Sequence, residues 1–598
     1  MRDPRGEYGS RLKRWRERIA DLDRRHLLLS NTRLGAAAII AIVLWLVMFR
    51  ESLSAWWLVV GAVGFTALAT AHARVLQRIE RGRRAAALYE RALERLSGRW
   101  QGAGRNGEHF LTNHSYARDL DLYGHASLFE LLNTARTEAG EGTLAGWLGN
   151  GATLDEVLAR QIAVEELRPK LDFREDLSVL AAEGQVSRTG ALAQWAASPA
   201  VGFSRALPVI LAALAAVTAA LAVLAYEEVV PPGIAVAWLF VQYGIVRAWR
   251  RKLELVITRV GQPVEDLAVV AELLARIERE PAVAPRLAAL EAALSTHGLV
   301  ASRAIAKLTQ LVSLRESCTH NLLFSPFTAA LLVPDQLTIA IDGWHAAHGH
   351  AVEGWLRAVG ELEALSALAT HAYEHPGDPF PVLDPNGPLF RADALAHPLL
   401  AEDAAVRNDV TLGADGTRVI VLSGSNMSGK STLLRTVGIN TVLALAGAPV
   451  RAESLRLSPL VVGATLRIQD SLQEGRSRFY AEITRIREIA DVSRGPTPLL
   501  FLLDELFHGT NSHDRLIGSS GVLRSLLDHG AIGLITTHDL ALAGIARALA
   551  PRAVNVHFED WFDGQELRFD YRLKPGPVTR SNAIALMRAV GLDVPEES

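Results

Sequence analysis

The chain has 598 residues, 49% hydrophobic and 21% charged, and its 62 Lys and Arg against 65 Asp and Glu give a formal net charge of -3. That length allows several domains and a sizeable core, and the near-neutral total speaks neither for nor against a nucleic-acid partner. The single cysteine, Cys318, excludes an intramolecular disulfide framework and a cysteine-based metal cluster, in keeping with a reducing compartment.

Two apolar runs open the chain. Leu34 to Phe49 lies uninterrupted between Arg33 and Arg50, and Leu53 to Ala73 follows, with Trp56 and Trp57 at its start. They read as a membrane hairpin behind a basic N-terminal helix, within residues 1–105. The first run is short against the about 20 residues a span needs, but flanking arginines can reach the headgroups and the bilayer can thin. A second pair, Ala206 to Tyr226 and Val229 to Val246, is separated by Glu227 and Glu228 and fills 201–252. Buried core helices are the alternative reading of these segments.

Charge gives both hairpins one orientation. Arg11, Lys13, Arg14, Arg16, Arg18, Arg24 and Arg25 precede the first span, Arg74, Arg78, Arg81, Arg83 and Arg84 follow the second, and Arg247, Arg250, Arg251 and Lys252 follow the fourth. The turns at Glu51 and Glu227–Glu228 carry little positive charge. The positive-inside rule then makes this a multi-pass protein of the cytoplasmic membrane with both termini in the cytoplasm. A cleaved signal peptide is not expected, since a second span follows at once. Residues 106–200 and 253–390 show Ala and Leu at helical spacing and are expected to form an all-α region on either side of the second hairpin.

The chemistry lies in 391–598. Val419-Ile420-Val421-Leu422 is an apolar strand running into Ser423-Gly424-Ser425-Asn426-Met427-Ser428-Gly429-Lys430-Ser431-Thr432 and then Leu433-Leu434-Arg435. Gly424, Gly429, Lys430 and Ser431 fill the phosphate-loop pattern G-x-x-x-x-G-K-[ST] in its strand–loop–helix setting. The glycines let backbone wrap a phosphate, the helix N-terminus offers unpaired N–H groups, and Lys430 adds charge. Leu499 to Leu503 is a continuous apolar run, as in a strand buried on both faces, and it ends in Asp504-Glu505. At such a strand end one acid can hold Mg²⁺, here Asp504, and the other can polarise the attacking water, here Glu505. A third strand, Ala531 to Thr537, ends in His538, which that placement makes either a phosphate-facing group or a structural histidine.

In order, Gly424-Ser-Asn-Met-Ser-Gly-Lys-Ser-Thr432, Gly475-Arg476-Ser477-Arg478-Phe479-Tyr480-Ala481-Glu482, Asp504-Glu505-Leu506-Phe507-His508-Gly509-Thr510-Asn511 and Thr536-Thr537-His538 resemble the ATPase motifs of the MutS family of DNA mismatch-repair proteins. The resemblance runs from about Asp409 to Leu592 and more weakly through His109 to Gln161. It implies an α/β P-loop ATPase domain with a mostly parallel sheet, preceded by an all-α lever or core domain. It also implies ATP and Mg²⁺ bound by residues 424–432, with Lys430 on the phosphates, Ser431 and Asp504 on the metal, Asn426 coupling nucleotide state to conformation, and Glu505 and His538 serving hydrolysis. Ser477 would reach the nucleotide of a second subunit, so the resemblance implies a homodimer with sites completed in trans. Tyr571 falls near an adenine-stacking position, or is a packed strand tyrosine. Ser425, Ser428 and Arg478 depart from the usual residues of the family.

The mismatch-reading N-terminal domain with its Phe-x-Glu wedge is missing; Phe173-Arg174-Glu175 fits the three letters but sits in helical sequence. The expectation is therefore a membrane-anchored, dimeric MutS-like ATPase that couples hydrolysis to lever movement, with DNA as partner and without direct mismatch recognition. An ATP-driven membrane module with no nucleic-acid ligand is the first alternative. An ATP-binding-cassette transporter is the second, disfavoured by four short spans and by Gly475-Arg476-Ser477.

Overall fold

A computed structural model of the protein describes residues 3–50, 53–112, 114–183, 189–260, 267–296, 299–321, 324–413, 416–425, 427–467, 478–507, 510–539, 543–562 and 567–578. The first two helices, α1 (Pro4–Phe49) and α2 (Trp56–Leu96), form one long antiparallel hairpin. The basic N-terminal segment and the first apolar run are thus a single helix, begun by Asp3, whose carboxylate accepts from the amides of Arg5 and Gly6. The chain-terminal end of this hairpin is anchored. Tyr8, Leu12, Tyr89 and Ala92 are buried together, Arg95 Nη2 sits 2.6 Å from Glu374, and Arg11 pairs with Glu7, Asp172 and Glu175. The apolar end is bare: none of its most hydrophobic 18-residue window in α1 and 6% of that in α2 is buried.

Short helices α3 (Leu128–Leu132), α4 (Glu138–Gly149), α5 (Leu154–Leu167), α6 (Leu171–Ala181) and α7 (Thr189–Ala197) follow. Next come the apolar pair α8 (Leu207–Tyr226) and α9 (Pro232–Val246), then α10 (Arg250–Val260), α11 (Leu267–Ile277), α12 (Pro285–Ala293), α13 (Ala301–His320), α14 (Ser325–Ala330) and α15 (Val333–Glu374). With 42 residues α15 is about 63 Å long, and α4, α5, α7, α12 and α13 pack along it. Between α12 and α13 the expected all-helical pattern is interrupted by a small antiparallel pair, β1 (Ser295–Thr296) with β2 (Leu299–Val300), which satisfies the backbone of the tight connection. Among the described residues three helices, α1, α2 and α8, are long and apolar enough to cross a membrane; α9 is apolar but, at 15 residues, only about 22 Å long. The α8–α9 pair keeps its polar groups inside. Trp238 Nε1 donates to Thr218 (3.0 Å), Thr218 bonds Gln242, and Gln242 Nε2 donates to the Ala330 carbonyl (2.9 Å).

Phe173, first residue of the Phe-Arg-Glu triplet, is 2% exposed with the Arg276 guanidinium over its ring, and Glu175 is bonded to Arg11, Trp15 and Tyr89. The triplet is interior packing.

The C-terminal part contains two sheets. The smaller has the order β3 (Val382–Leu383), β7 (Ser454–Leu457), β4 (Phe390–Leu395), β5 (Asn408–Leu412), and so begins ahead of residue 391. The larger has the order β12 (Leu567–Pro575), β11 (Ala553–Phe562), β6 (Val419–Ser423), β10 (Ile532–Thr537), β9 (Leu499–Asp504), β8 (Val461–Thr465), parallel except at the β11–β12 edge. Its central strands are buried on both faces, and alternate residues serve different cores. Ile420, Leu422, Leu500, Leu502 and Leu534 join a core that continues into α16 (Lys430–Ala446) and the helical region. Val421, Phe501, Leu503 and Ile535 face a second core closed by α17 (Arg478–Val492), α18 (Ser512–Asp528) and α19 (Ile545–Ala548).

The helical region and the sheet domain meet around Gly438. A Cβ there would come within 2.6 Å of Leu120 and 2.8 Å of Leu502, so only glycine lets α16 approach both. Gly438→Val is expected to destabilise the protein by about 1–3 kcal/mol through overpacking, read as a lowered unfolding midpoint in denaturant. An unchanged midpoint would show that this contact is not close-packed.

Candidate functional site

Three parallel strands end side by side. The register pairs Thr537 with Ser423 and Thr536 with Asp504, which sets the starts of three loops against one another. From β6 the chain enters the phosphate loop, with Met427 at φ 71° and Gly429 at φ 95°, and then α16. Lys430 is buried and its Nζ donates to the carbonyls of Gly424 (2.8 Å) and Ser425 (2.7 Å), with Glu505 3.9 Å away. Burial pulls its ammonium below the ordinary lysine range, opposed by Glu505, Asp504 and Asp560.

Ser431 Oγ donates to Asp504 Oδ2 at 2.5 Å, and Asp504 Oδ1 accepts from the Thr536 hydroxyl. The Thr536 oxygen in turn accepts from the Glu505 amide at 3.1 Å. Glu505 and Phe507 both hold left-handed backbone, φ 49° and 57°, which turns the Glu505 side chain back toward the loop. His538 Nδ1 lies 3.2 Å from Glu505 Oε1. Lys430, Ser431, Asp504, Glu505 and His538, expected from sequence to act together, are therefore in one cluster, joined by hydrogen bonds around Asp504 and by the approach of Lys430 (3.9 Å) and His538 (3.2 Å) to Glu505.

Lys430, Ser431, Asp504 and Glu505 open on a cavity of ≈ 600 Å³, also lined by Met427, Gly429, Thr432 and Tyr571 among others. Tyr571 is 41% exposed, and a Cβ on Gly429 would lie 3.0 Å from its ring, so the tyrosine stands over the mouth of the loop. Its strand position is held by Asn408, which donates to the Tyr571 carbonyl (2.9 Å) and accepts from the Leu573 amide (2.8 Å). The buried hydroxyls of Ser425 and Ser428 have no hydrogen-bond partner among the described residues. A polyphosphate with Mg²⁺ suits this set: unpartnered donors and a buried ammonium on the phosphate side, a hydroxyl and a carboxylate as hard oxygen ligands on the metal side. Asn426 and Ser477 lie outside the described residues.

Sequence reasoning missed four contributors. Thr536 bridges the two acids; Asn408 seats Tyr571; and Glu482, 2% exposed in the second turn of α17, accepts from the amide of Phe507, two residues after Glu505. His397 lines the cavity, and burial, with Arg435 nearby, pushes it down to about 4, so it is neutral. Thr536 was visible as a hydroxyl two residues before His538; the other three come from distant segments and only topology joins them.

The sheet domain is also tied to the helical region at this end. Asp119 accepts from the amides of Leu466 and Arg467 (both 2.8 Å) and lies 3.7 Å from Arg485, while Asp121 pairs with Arg467 (2.8 Å) and Arg435 (3.6 Å). Arg435 follows the phosphate loop by one helical turn, and Leu466–Arg467 immediately precede residues 468–477.

Residues 420–597 match the MutS domain V family. The chain belongs to the MutS family. It is similar to "Endonuclease MutS2" of Thermus thermophilus, 35% identical over 243 residues, which cover 40% of this chain and 31% of that protein. It is similar to "DNA mismatch repair protein MutS 2" of Halobacterium salinarum, 35% over 253 residues, covering 40% and 27% respectively. "DNA mismatch repair protein MutS" of Natronomonas pharaonis is 33% identical over 256 residues, covering 42% and 29%. The similarity thus spans less than a third of the length of these relatives. MutS-family proteins are ATPases, and the α/β sheet with flanking helices described above is the domain that matches.

Removing the Thr536 hydroxyl tests the strand-end network. Thr536→Val leaves the Asp504 carboxylate and the Glu505 amide short of a partner, and is expected to cost about 1–3 kcal/mol. Chemical denaturation checks this; a variant as stable as the parent would mean the hydroxyl bridge is replaced by solvent.

Proposed function

We propose that this protein is a membrane-anchored MutS-family ATPase that binds and hydrolyses Mg-ATP in a dimer and couples turnover to movement of its helical region, with DNA as the partner. The observation that carries this reading is the joining of Lys430, Ser431, Asp504, Glu505 and His538 in one group at the end of three parallel strands. Lys430 and the loop amides would hold the phosphates, while Ser431 and Asp504 would hold the metal, which supplies charge neutralisation when bound. Glu505 would orient the attacking water and take its proton as that oxygen bonds the terminal phosphorus and the bond to the leaving diphosphate breaks. His538, beside the same carboxylate, would fix the orientation of Glu505. Tyr571 offers a ring face to the base, and Ser477 would complete the site of the second subunit.

Coupling is supported by Asp119 and Asp121. They grip the residue after the phosphate loop's first turn and the two residues before 468–477, so a shift in either pulls on the loop at 117–123 and on α4 and α5 behind it. A membrane seat is supported by the bare apolar halves of α1 and α2 and by α8, of whose most hydrophobic window only 11% is buried. The exposed Phe324 and Phe327 at the α13–α15 tip, beside the α8–α9 pair, extend that surface. With the charge pattern, this reading keeps both termini and the ATPase in the cytoplasm, and assigns 1–105 and 201–252 to the membrane hairpins, 106–200 and 253–390 to the lever region and 391–598 to the ATPase. The same apolar surface favours the second reading, an ATP-driven membrane module without a nucleic-acid ligand.

Detergent-solubilised protein is expected to hydrolyse ATP only with Mg²⁺, and Glu505→Ala to lower kcat by about 10²-fold or more while ATP still binds. Branched or duplex DNA should stimulate turnover, and the stimulation should fall steeply with salt. Turnover indifferent to every DNA would select the second reading, and turnover unchanged by Glu505→Ala would refute the site.

A further inference from the structure

Four arginines converge beside the soluble end of the first hairpin. Arg84 and Arg91 stand two turns apart on α2, Arg105 is on the loop that follows, and Arg136 is just ahead of α4. With Ser178 of α6 they line a cavity of ≈ 230 Å³ that shares no lining residue with the nucleotide cavity.

Their charges are poorly compensated. Arg105 meets Glu141 at 2.8 Å, and Arg84 Nη2 meets Glu80 at 3.4 Å, which leaves Arg84 Nη1 buried without a partner. Arg91 Nε donates only to the Ala87 carbonyl of its own helix, 3.2 Å away. Among the described residues no carboxylate lies within ion-pair distance of Arg91 or Arg136. Burial, with Arg91, Arg105 and Arg95 around it, pushes the Arg136 guanidinium down to about 10, and burial with Arg95 lowers Arg91 as well. The acid facing Arg136 is Glu363 of α15. It is already committed to the amides of Arg136 (2.9 Å) and Thr137 (3.3 Å) and to the Thr137 hydroxyl, and burial pushes it up to about 7, so it is only partly ionised at neutral pH. The remaining nearby cation, Arg95, is paired with Glu374.

A partly buried group of like charges gains from an opposite charge that completes it, most at Arg91 and Arg136, since the Arg105 side chain is 48% exposed. Guanidinium forks match the oxygens of phosphate, and four of them exceed the demand of a single carboxylate. At ≈ 230 Å³ the cavity is below the about 300 Å³ where pockets for drug-sized ligands begin. We propose that Arg84, Arg91, Arg105 and Arg136 form a second anion site, distinct from the phosphate loop, that binds a compact phosphate-bearing group of about the size of pyrophosphate. The group comes from a soluble compound or from a lipid headgroup, since α2 runs from this cavity into its bare apolar half.

The test uses full-length, detergent-solubilised protein carrying Lys430→Ala throughout, so that phosphate binding at the phosphate loop is weakened equally in every sample. Inorganic pyrophosphate and dioctanoyl phosphatidic acid below its micelle concentration are titrated separately by calorimetry, with melting temperature as a second readout. Binding of either is expected, to be weakened at least tenfold in Arg91→Gln/Arg136→Gln; pyrophosphate alone marks a soluble ligand and phosphatidic acid alone a headgroup. The ligand-free double variant should melt no lower than its parent, because it loses uncompensated charge. Should it fail to fold, Arg84→Gln/Arg105→Gln replaces it with the same expectation. Binding of neither probe, or binding undiminished by the substitutions, overturns the proposal.

Discussion

The parallel register of β6, β10 and β9 is the constraint on which the site depends. Because these strands are buried on both faces and paired without offset, their ends arrive together, and the loops that leave them must share one crevice. The Thr536–Asp504 pairing brings a hydroxyl to the Asp504 carboxylate, and the same hydroxyl receives the next amide, which turns Glu505 toward Lys430. A single slip of β10 would invert its faces and break both bonds at once.

The second constraint is the junction with the helices. One continuous apolar core runs from the helical region through α16 to one face of the sheet, so the phosphate-loop helix is packed by both parts of the chain. Asp119 sits in that junction 6% exposed, its charge met by two amides and Arg485. A buried carboxylate held this way is costly to leave unpaired, which supports the proposed coupling of Leu466 and Arg467 to the 117–123 loop. The long hairpin is fastened to the C-terminal end of α15 through Arg95 and Glu374.

Much of this was legible in the sequence, for identifiable reasons. The phosphate loop, the apolar strands and the acids that end them are local patterns, and β6, β9 and β10 fall where those patterns predict. The helical region was legible from spacing, except for β1 and β2, which are too short to leave a pattern. What could not be read is long-range. Asn408 reaches Tyr571 and Leu573 across more than 160 residues, Asp119 reaches Leu466 across 347, and the arginine cavity gathers α2, two loops and α6. No local periodicity announces such meetings. The apolar runs were legible as helices, but their continuity with charged, docked segments was not, since α1 carries its basic and apolar halves without a break.

The central claim is that the nucleotide edge and the helical region move as one unit through the Asp119 junction. Hydrogen exchange of the peptide covering residues 115–124, measured on full-length Glu505→Ala protein with and without Mg-ATP, tests it most directly. The account predicts slower exchange in this peptide when nucleotide is bound, and loss of that effect in Asp119→Asn. Exchange that is identical with and without nucleotide, while the phosphate loop itself becomes protected, would contradict it.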